Sequence, residues 1–387
     1  MPNRTVAVVS AFCLSAAMIT FSSPDTHAKA TSSKKVVPGE VVVKYKENVS
    51  EKKEASLNGK MNAKVLSSNK QIGFDVVKVE GSIQKAVKKY QDDPNVEYAE
   101  PNYVMKAYGE PNDPKFGEQY GPQKLEAPQA WDTTKGKKEV KVAIVDTGVD
   151  YNHEDLKGKV EKGGDFIDND KDPMDEQGHG THCAGIAAAA TDNGKGIAGI
   201  APDVTIYAVR VLDANGSGSN ESVAKGITDA ADAGANVISL SLGGAEESKV
   251  IEDAVNYAHK KGSVIVAAAG NESTDAPSYP AYYEKAIAVA ATDGDDKLGE
   301  FSNYGDWVDV AAPGVDILST VPNNGYEKFS GTSMATPHVA GLAGLIASQG
   351  KKGDEIRKAI ESTSDKTEGA GSKFTHGRVN AAKAIGK

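Results

Sequence analysis

The 387-residue sequence predicts an α/β protein: a predominantly parallel sheet with helices on both faces, preceded by a small α+β unit. Three observations carry that prediction. From about Val140 onward, short apolar runs alternate with helical stretches as in successive βαβ units. The apolar runs are β-branched or alanine-rich along their whole length, as strands buried on both faces are. Ahead of them lies a Lys-rich segment that combines strand alternation with one amphipathic helix. A content of 39% hydrophobic, 25% charged and 6% aromatic residues belongs to a globular chain and excludes a disordered or collagen-like one.

In the leading segment, Val41, Val43 and Tyr45 alternate with Val42 and Lys44 as in a strand, and Phe74 to Val79 repeats the pattern. Ile83, Val87 and Tyr90 share one face of a helical run from Ser82 to Asp92, which Pro94 ends. In the larger segment, Val140 to Val145, Val204 to Val211, Val237 to Leu242, Val264 to Ala269 and Ala286 to Ala291 read as buried strands bounded by Gly, Asn or Asp. Helices are expected at Thr181 to Ala190, Glu221 to Ala233, Lys249 to Lys260, Met334 to Ser348 and Asp354 to Ser362. Ligands of such sheets bind at the carboxyl ends of the strands.

Charge divides the chain into three zones. Residues 1–30 read as a cleavable secretory signal, with Arg4 ahead of a mostly apolar Thr5 to Phe21 and the small-x-small site Ala28-Lys29-Ala30. A membrane anchor needs about 20 apolar residues, and Ser10, Ser15 and Thr20 interrupt this run. Residues 31–108 carry a net +4 and residues 109–387 a net −15, within a total of −10. That balance offers no basic patch and excludes a nucleic-acid partner. Cys13 lies in the signal, so the exported chain keeps only Cys183 and forms no internal disulfide. Its robustness outside the cell must come from packing or bound ions.

Four polar groups fall at the carboxyl ends of strands or the starts of helices: Asp146 after the first strand, His179 in a Gly-rich turn, Asn271 after Val264 to Ala269, and Ser333 opening an alanine-rich helix. Each alone is an ordinary cap or turn residue. Together they are the set that acyl transfer requires: a hydroxyl made nucleophilic by an imidazole, a carboxylate orienting that imidazole, and a carboxamide donor for the developing oxyanion. Backbone N–H groups at the start of the helix would assist at Ser333. The order Asp, His, Ser and the absence of G-x-S-x-G exclude an α/β-hydrolase elbow. His179 and His182 are three apart with no Glu between them, unlike a zincin helix, so no catalytic metal is expected. His182 and His338 read as buried packing residues, and Cys183 as a small core residue one turn after His179.

The strings VAIVDTGVD, GHGTHCAGIAAA, SLSLGG, AAAGN and GTSMATPHVAGLAG resemble the subtilisin-like serine proteases, and PND…QYGPQKLEAPQAW resembles the thermitase branch of that family. The likeness spans residues 109–387, while residues 37–107 resemble the family's inhibitor-like propeptide. It implies a subtilisin-like fold, a triad of Asp146, His179 and Ser333, and Asn271 as the oxyanion donor. The backbones of Gly216, Ser217 and Gly218 and of Ser241, Leu242, Gly243 and Gly244 should pair with extended polypeptide substrates. No charged side chain occurs in SLGG or AAAGN, so an apolar or uncharged preference is expected in the primary pocket.

Between Asp165 and Glu176 six carboxylates face only Lys171, so the loop is either solvated or holds a cation. Pro173 and His179 stand where an EF-hand needs its glycine and its bidentate Glu. The resemblance implies Ca²⁺ at Asp165, Asp168 and Asp170 with Asp172, although Met174 replaces an amide ligand of the family pattern. It implies a second Ca²⁺ at Asp113, Asp155 and Asn193 with carbonyls of Lys195 and Ile197. The expectation is a secreted, monomeric, calcium-stabilised serine endopeptidase of broad specificity, with no membrane partner. Its propeptide would act as intramolecular inhibitor and folding aid before self-cleavage. A protease-like binding protein without activity is the alternative.

Overall fold

The computed structural model describes residues 36–104 and 110–387. The expected signal at 1–30 lies outside them, as does most of the expected maturation window, Met105 to Glu110. The chain divides into two units, Met1–Ala107 and Tyr108–Lys387. Among the described residues no helix is long and apolar enough to cross a membrane.

In the first unit, strands β1 (Val36–Tyr45), β2 (Lys64–Asn69), β3 (Phe74–Lys78) and β4 (Val96–Tyr103) form an antiparallel sheet in the order β2-β3-β1-β4, with helices α1 (Glu51–Lys60) and α2 (Ile83–Gln91). Val41, Val43, Tyr45, Val77 and Tyr90 form its core, as the alternation of β1 requires. Tyr45 and Tyr90 bury their rings, and both hydroxyls donate to Asn58 Oδ1 at 2.8 Å. The elements not anticipated, α1, β2 and β4, bury little: α1 buries only Leu57 and Asn58, and no β2 residue is fully buried.

The second unit begins with the short helices α3 (Tyr120–Lys124) and α4 (Ala127–Trp131). It is built on a seven-stranded parallel sheet of β5 (Lys141–Asp146), β6 (Val160–Asp165), β7 (Thr205–Arg210), β8 (Val237–Leu240), β9 (Val264–Ala268), β10 (Ala286–Thr292) and β11 (Val310–Pro313). Their order is β11-β10-β9-β8-β5-β7-β6. Side chains of β5 alternate between two cores: Val142 and Ile144 pack with α5 (His179–Ala188) and α8 (Thr332–Ala347), whereas Ala143 and Val145 pack with α6 (Asn220–Asp232) and α7 (Lys249–Lys260). Helices therefore cover both faces, and the chain reverses direction across the sheet between β5 and β8. A hairpin, β12 (Ile317–Val321) and β13 (Gly325–Phe329), with α9 (Asp354–Thr363) and α10 (Ala381–Ala384), completes the unit. The five expected strands and five expected helices are present with ends shifted by up to two residues. β6 and β11 were not legible, the first being a polar edge strand with two glycines and the second a short edge strand that ends in proline.

Candidate active site

Asp146 is the last residue of β5 and is 1% exposed. Its Oδ1 lies 2.8 Å from Nδ1 of His179, the first residue of α5, and also accepts the Thr147 N–H at 2.7 Å. This approach depends on Gly180. A Cβ there would stand 2.1 Å from the Gly148 carbonyl oxygen, so any larger residue would force α5 away from the end of β5. Burial disfavours the charged ring of His179, but the Asp146 charge and hydrogen bond outweigh it and hold the pKa above its ordinary 6.5.

The turn before His179 is fixed by Asp175, whose carboxylate accepts five hydrogen bonds. They come from the N–H groups of Gln177, Gly178 and Thr181 and from the hydroxyls of Thr147 and Thr181, at 2.6–2.9 Å. Asp175 thus satisfies donors at the start of α5 that no helix carbonyl can reach. The Gln177 side chain adds a bond to the His179 N–H at 2.8 Å.

Ser333 is the second residue of α8, where N–H groups have no partner within the helix. Its hydroxyl donates to the Ser241 carbonyl at 3.1 Å. Pro337, four residues on, has no N–H, and this frees the Ser333 carbonyl. That oxygen instead accepts the Ser241 hydroxyl at 2.9 Å and the Cys183 thiol at 3.4 Å. The missing helix bond is thereby converted into a tie to β8 and α5. Asn271 is oriented through its Oδ1, which accepts the N–H and hydroxyl of Thr332 at 2.8 and 3.0 Å. The amide nitrogen is left facing away from Thr332. A Cβ on Gly331 would lie 3.6 Å from both Asn271 Nδ2 and Ser333 N, which places both groups around Gly331.

A groove of about 590 Å³ runs past His179 and is lined by all seven expected substrate-contacting residues, Gly216, Ser217, Gly218, Ser241, Leu242, Gly243 and Gly244. Gly244 is braced from behind by an antiparallel bridge to Tyr279, with bonds of 2.9 and 2.8 Å. A second cavity of about 240 Å³ adjoins Ser333 and Asn271 and is walled by Gly243, Ala268, Thr274, Pro277 and Glu272, among others. Glu272, which follows directly on the AAAGN string, is among the residues that line this cavity, and its Oε2 accepts the Asn303 amide at 2.8 Å.

His182 and His338 are buried and neutral. Burial pushes them down to about 3 and about 4; His182 stacks on Phe329 at 4.3 Å, and His338 bonds the Met334 carbonyl at 2.9 Å. Cys183 is fully buried, which raises its thiol pKa well above the ordinary range and keeps it protonated.

The acidic loop differs from its sequence reading. Arg210, at the end of β7, reaches Asp165 at 3.0 Å, Asp168 at 2.7 Å and Glu176 at 2.8 Å. Asp172 meets Lys162 at 2.9 Å and the Tyr151 hydroxyl at 2.6 Å, and Asp175 is the helix cap described above. Lys171 is thus not the loop's only counter-charge. Among the described residues no cationic side chain pairs with Asp170. Elsewhere, Asp113 and Asp155 are both buried near one another. Asn193 donates its amide to Asp155 at 2.9 Å, the Ile197 N–H bonds Asp155 at 3.0 Å, and the Lys195 N–H bonds Asn193 Oδ1 at 2.7 Å. Burial, together with the Asp155 charge, holds the Asp113 pKa above its ordinary value despite two backbone N–H bonds. The Tyr326 hydroxyl on Asp155, at 2.9 Å, had no sequence signal.

Residues 137–378 match the subtilase family, and residues 22–102 match the fervidolysin N-terminal prodomain. A thermophilic serine proteinase of Bacillus sp. (strain AK1) is 53% identical over 90% of this chain and 88% of its own length. Thermitase of Thermoactinomyces vulgaris is 62% identical over 71% of this chain and 99% of its own. A solved protease structure from Pseudoalteromonas arctica superposes with a TM-score of 0.66 at 34% identity, covering 72% of this chain and 99% of that one.

Proposed function

The chain belongs to the subtilase family, as a thermitase-like serine endopeptidase with its own prodomain, and on that premise we propose the residues and steps by which it acts. Ser333 is the nucleophile. Rotation of its side chain away from the Ser241 carbonyl brings the hydroxyl to Nε2 of His179, which takes the proton as Oγ bonds to the scissile carbonyl carbon. Asp146 holds the ring with Nδ1–H toward itself and stabilises the imidazolium. The oxyanion is received by Asn271 Nδ2 and the Ser333 N–H. His179 then passes the proton to the leaving amine, and a water repeats the sequence to release the acyl group. The observation that best supports this reading is the 2.8 Å bond from buried Asp146 to His179, with Ser333 and Asn271 on adjoining segments. Hydrolysis of a chromogenic peptide by the matured chain tests it, and no hydrolysis would favour a binding protein.

Polypeptide is the substrate class, and the prodomain is its inhibitor. The backbones of Gly216 to Gly218 and Ser241 to Gly243 would pair with an extended substrate as added strands, with Gly244 committed to its bridge to Tyr279. The primary pocket is mainly uncharged, with Glu272 giving tolerance of basic residues. Glu272→Gln is expected to lower kcat/KM for a lysine at the primary position about five-fold relative to phenylalanine, since a partly solvated ion pair is worth about 1 kcal/mol. Equal changes for the two substrates would remove Glu272 from selectivity.

Export through the segment 1–30 and monomeric action complete the proposal. So does structural Ca²⁺, for which the donor chemistry of Asp113, Asp155 and Asn193 fits a hard cation: two buried carboxylates lie together, and their mutual repulsion needs an opposite charge. The carbonyls of Lys195 and Ile197 would complete that set. At the acidic loop Arg210 already offsets part of the charge, so Ca²⁺ there would rest on Asp170 and Asp172 with Asp165 and Asp168 shared. A bound ion would supply stability and no chemical step. Mild chelation is therefore expected to leave activity measured at once intact while shortening the half-life on warming by about tenfold or more. Equal half-lives with chelator and with excess Ca²⁺ would remove structural Ca²⁺ from both clusters and return the acidic loop to a solvated one.

A further inference from the structure

Asn303 lies in the loop after β10 and is 1% exposed. Its side-chain amide makes four hydrogen bonds. Nδ2 donates to the Ala269 carbonyl at 2.9 Å and to Glu272 Oε2 at 2.8 Å, and Oδ1 accepts the N–H groups of Glu272 at 2.9 Å and Thr274 at 3.3 Å. Its own N–H donates to the Gly270 carbonyl at 2.9 Å. A carboxamide has two donors and two acceptor lone pairs, so its capacity is fully used. Every bond lands on residues 269–274, on both sides of Asn271, and none on Asn271 itself.

The fit from the other side is equally close. Gly270 has φ +105°, and a Cβ there would sit 2.3 Å from Asn303 Nδ2 and 2.6 Å from Glu272 Oε2. Only glycine lets the turn close onto the amide. The Asn271 side chain, meanwhile, is aimed through Thr332. The oxyanion donor therefore hangs between two supports: Thr332 sets its rotamer, and Asn303 sets the backbone from which it projects.

We propose that Asn303 is a positioning residue for the proteolytic step: it fixes the height of the Asn271 donor over Ser333 and, through Glu272, ties the wall of the primary pocket to the same point. The proposal rests on Asn271 serving the oxyanion. Such a donor is effective only within a few tenths of an ångström of its productive place, so loosening its backbone costs turnover even where the fold survives.

The test compares matured full-length-derived enzyme, with kcat expressed per titrated active site, for Asn303→Ala, Asn303→Asp, Asn271→Ala and the Asn271→Ala/Asn303→Ala pair. Asn303→Asp keeps the acceptors but loses the donor and sets a carboxylate against Glu272. Either Asn303 variant is expected to lower kcat by about tenfold or more, whereas in the Asn271→Ala background the Asn303→Ala change should cost less than about three-fold, because the donor it positions is gone. Glu272→Gln should rescue Asn303→Asp in part, restoring a donor across that pair while the bond to the Ala269 carbonyl stays lost. The same loss in both backgrounds, or an Asn303→Asp enzyme as fast as the parent, would overturn the proposal. Should Asn303→Ala give no titratable sites, the Asp variant and its rescue decide: a double variant no better than Asn303→Asp overturns it. Undiminished turnover in Asn271→Ala alone would instead fail the oxyanion reading.

Discussion

Ser333→Ala is expected to yield a precursor that retains its whole prodomain when purified alone, with peptide hydrolysis lower by about 10⁶-fold, a size known from subtilisin's own nucleophile. β4 ends at Tyr103, and the second unit begins at Tyr108. An extended segment would pair in the groove as a substrate does, and cleavage is expected within roughly Met105 to Glu110. Opposite net charges, +4 on residues 31–108 and −15 on residues 109–387, favour association of the two units. Addition of wild-type enzyme should trim the variant to mature mass without giving it activity, which separates loss of chemistry from loss of fold. Intact-mass measurement reads both results. A purified Ser333→Ala chain that shortens itself would eliminate self-cleavage.

Asn271→Ala is expected to reduce kcat by about 10² to 10³-fold with little change in KM, the magnitude known for the corresponding carboxamide in subtilisin. On the proposed reading, substrate would bind through backbone pairing along the groove, and Asn271 would touch only the oxygen that becomes charged. Its removal therefore weakens the transition state more than the bound substrate. The side chain is exposed and, among the described residues, hydrogen-bonded only to Thr332, so the fold should persist. Steady-state kinetics with a short peptide decides the matter. A loss confined to KM, or none, would take Asn271 out of the oxyanion role.

How much of this was legible depends on how local each feature is. The strands β5 and β7 to β10 announce themselves because they are buried on both faces and so must be apolar along their length. Asp146, His179 and Asn271 stand within two residues of Gly148, Gly180 and Gly270, where an added Cβ would meet atoms at 2.6, 2.1 and 2.3 Å, and this gives short recognisable strings. What stayed hidden is carried by residues far apart in sequence. Arg210 lies 45 residues from Asp165 and becomes its counter-charge only because β6 pairs with β7. Asn303 lies 31 residues from Glu272. Asp175 reads as one more repelling carboxylate until the fold turns five donors toward it. The counter-charge of the acidic loop stayed hidden because Arg210 comes from another strand.

The central claim, that Ser333 is made nucleophilic by a His179 held by Asp146, is tested most directly by labelling the matured enzyme with a serine-directed sulfonyl fluoride across pH. The account predicts one label per chain, on Ser333, with activity lost in proportion. It also predicts a labelling rate that falls as pH drops through a value above the ordinary 6.5 of histidine, because the neutral ring is the base and Asp146 raises its pKa. Labelling at another residue, activity that survives full labelling, or a rate indifferent to pH through that range would contradict it.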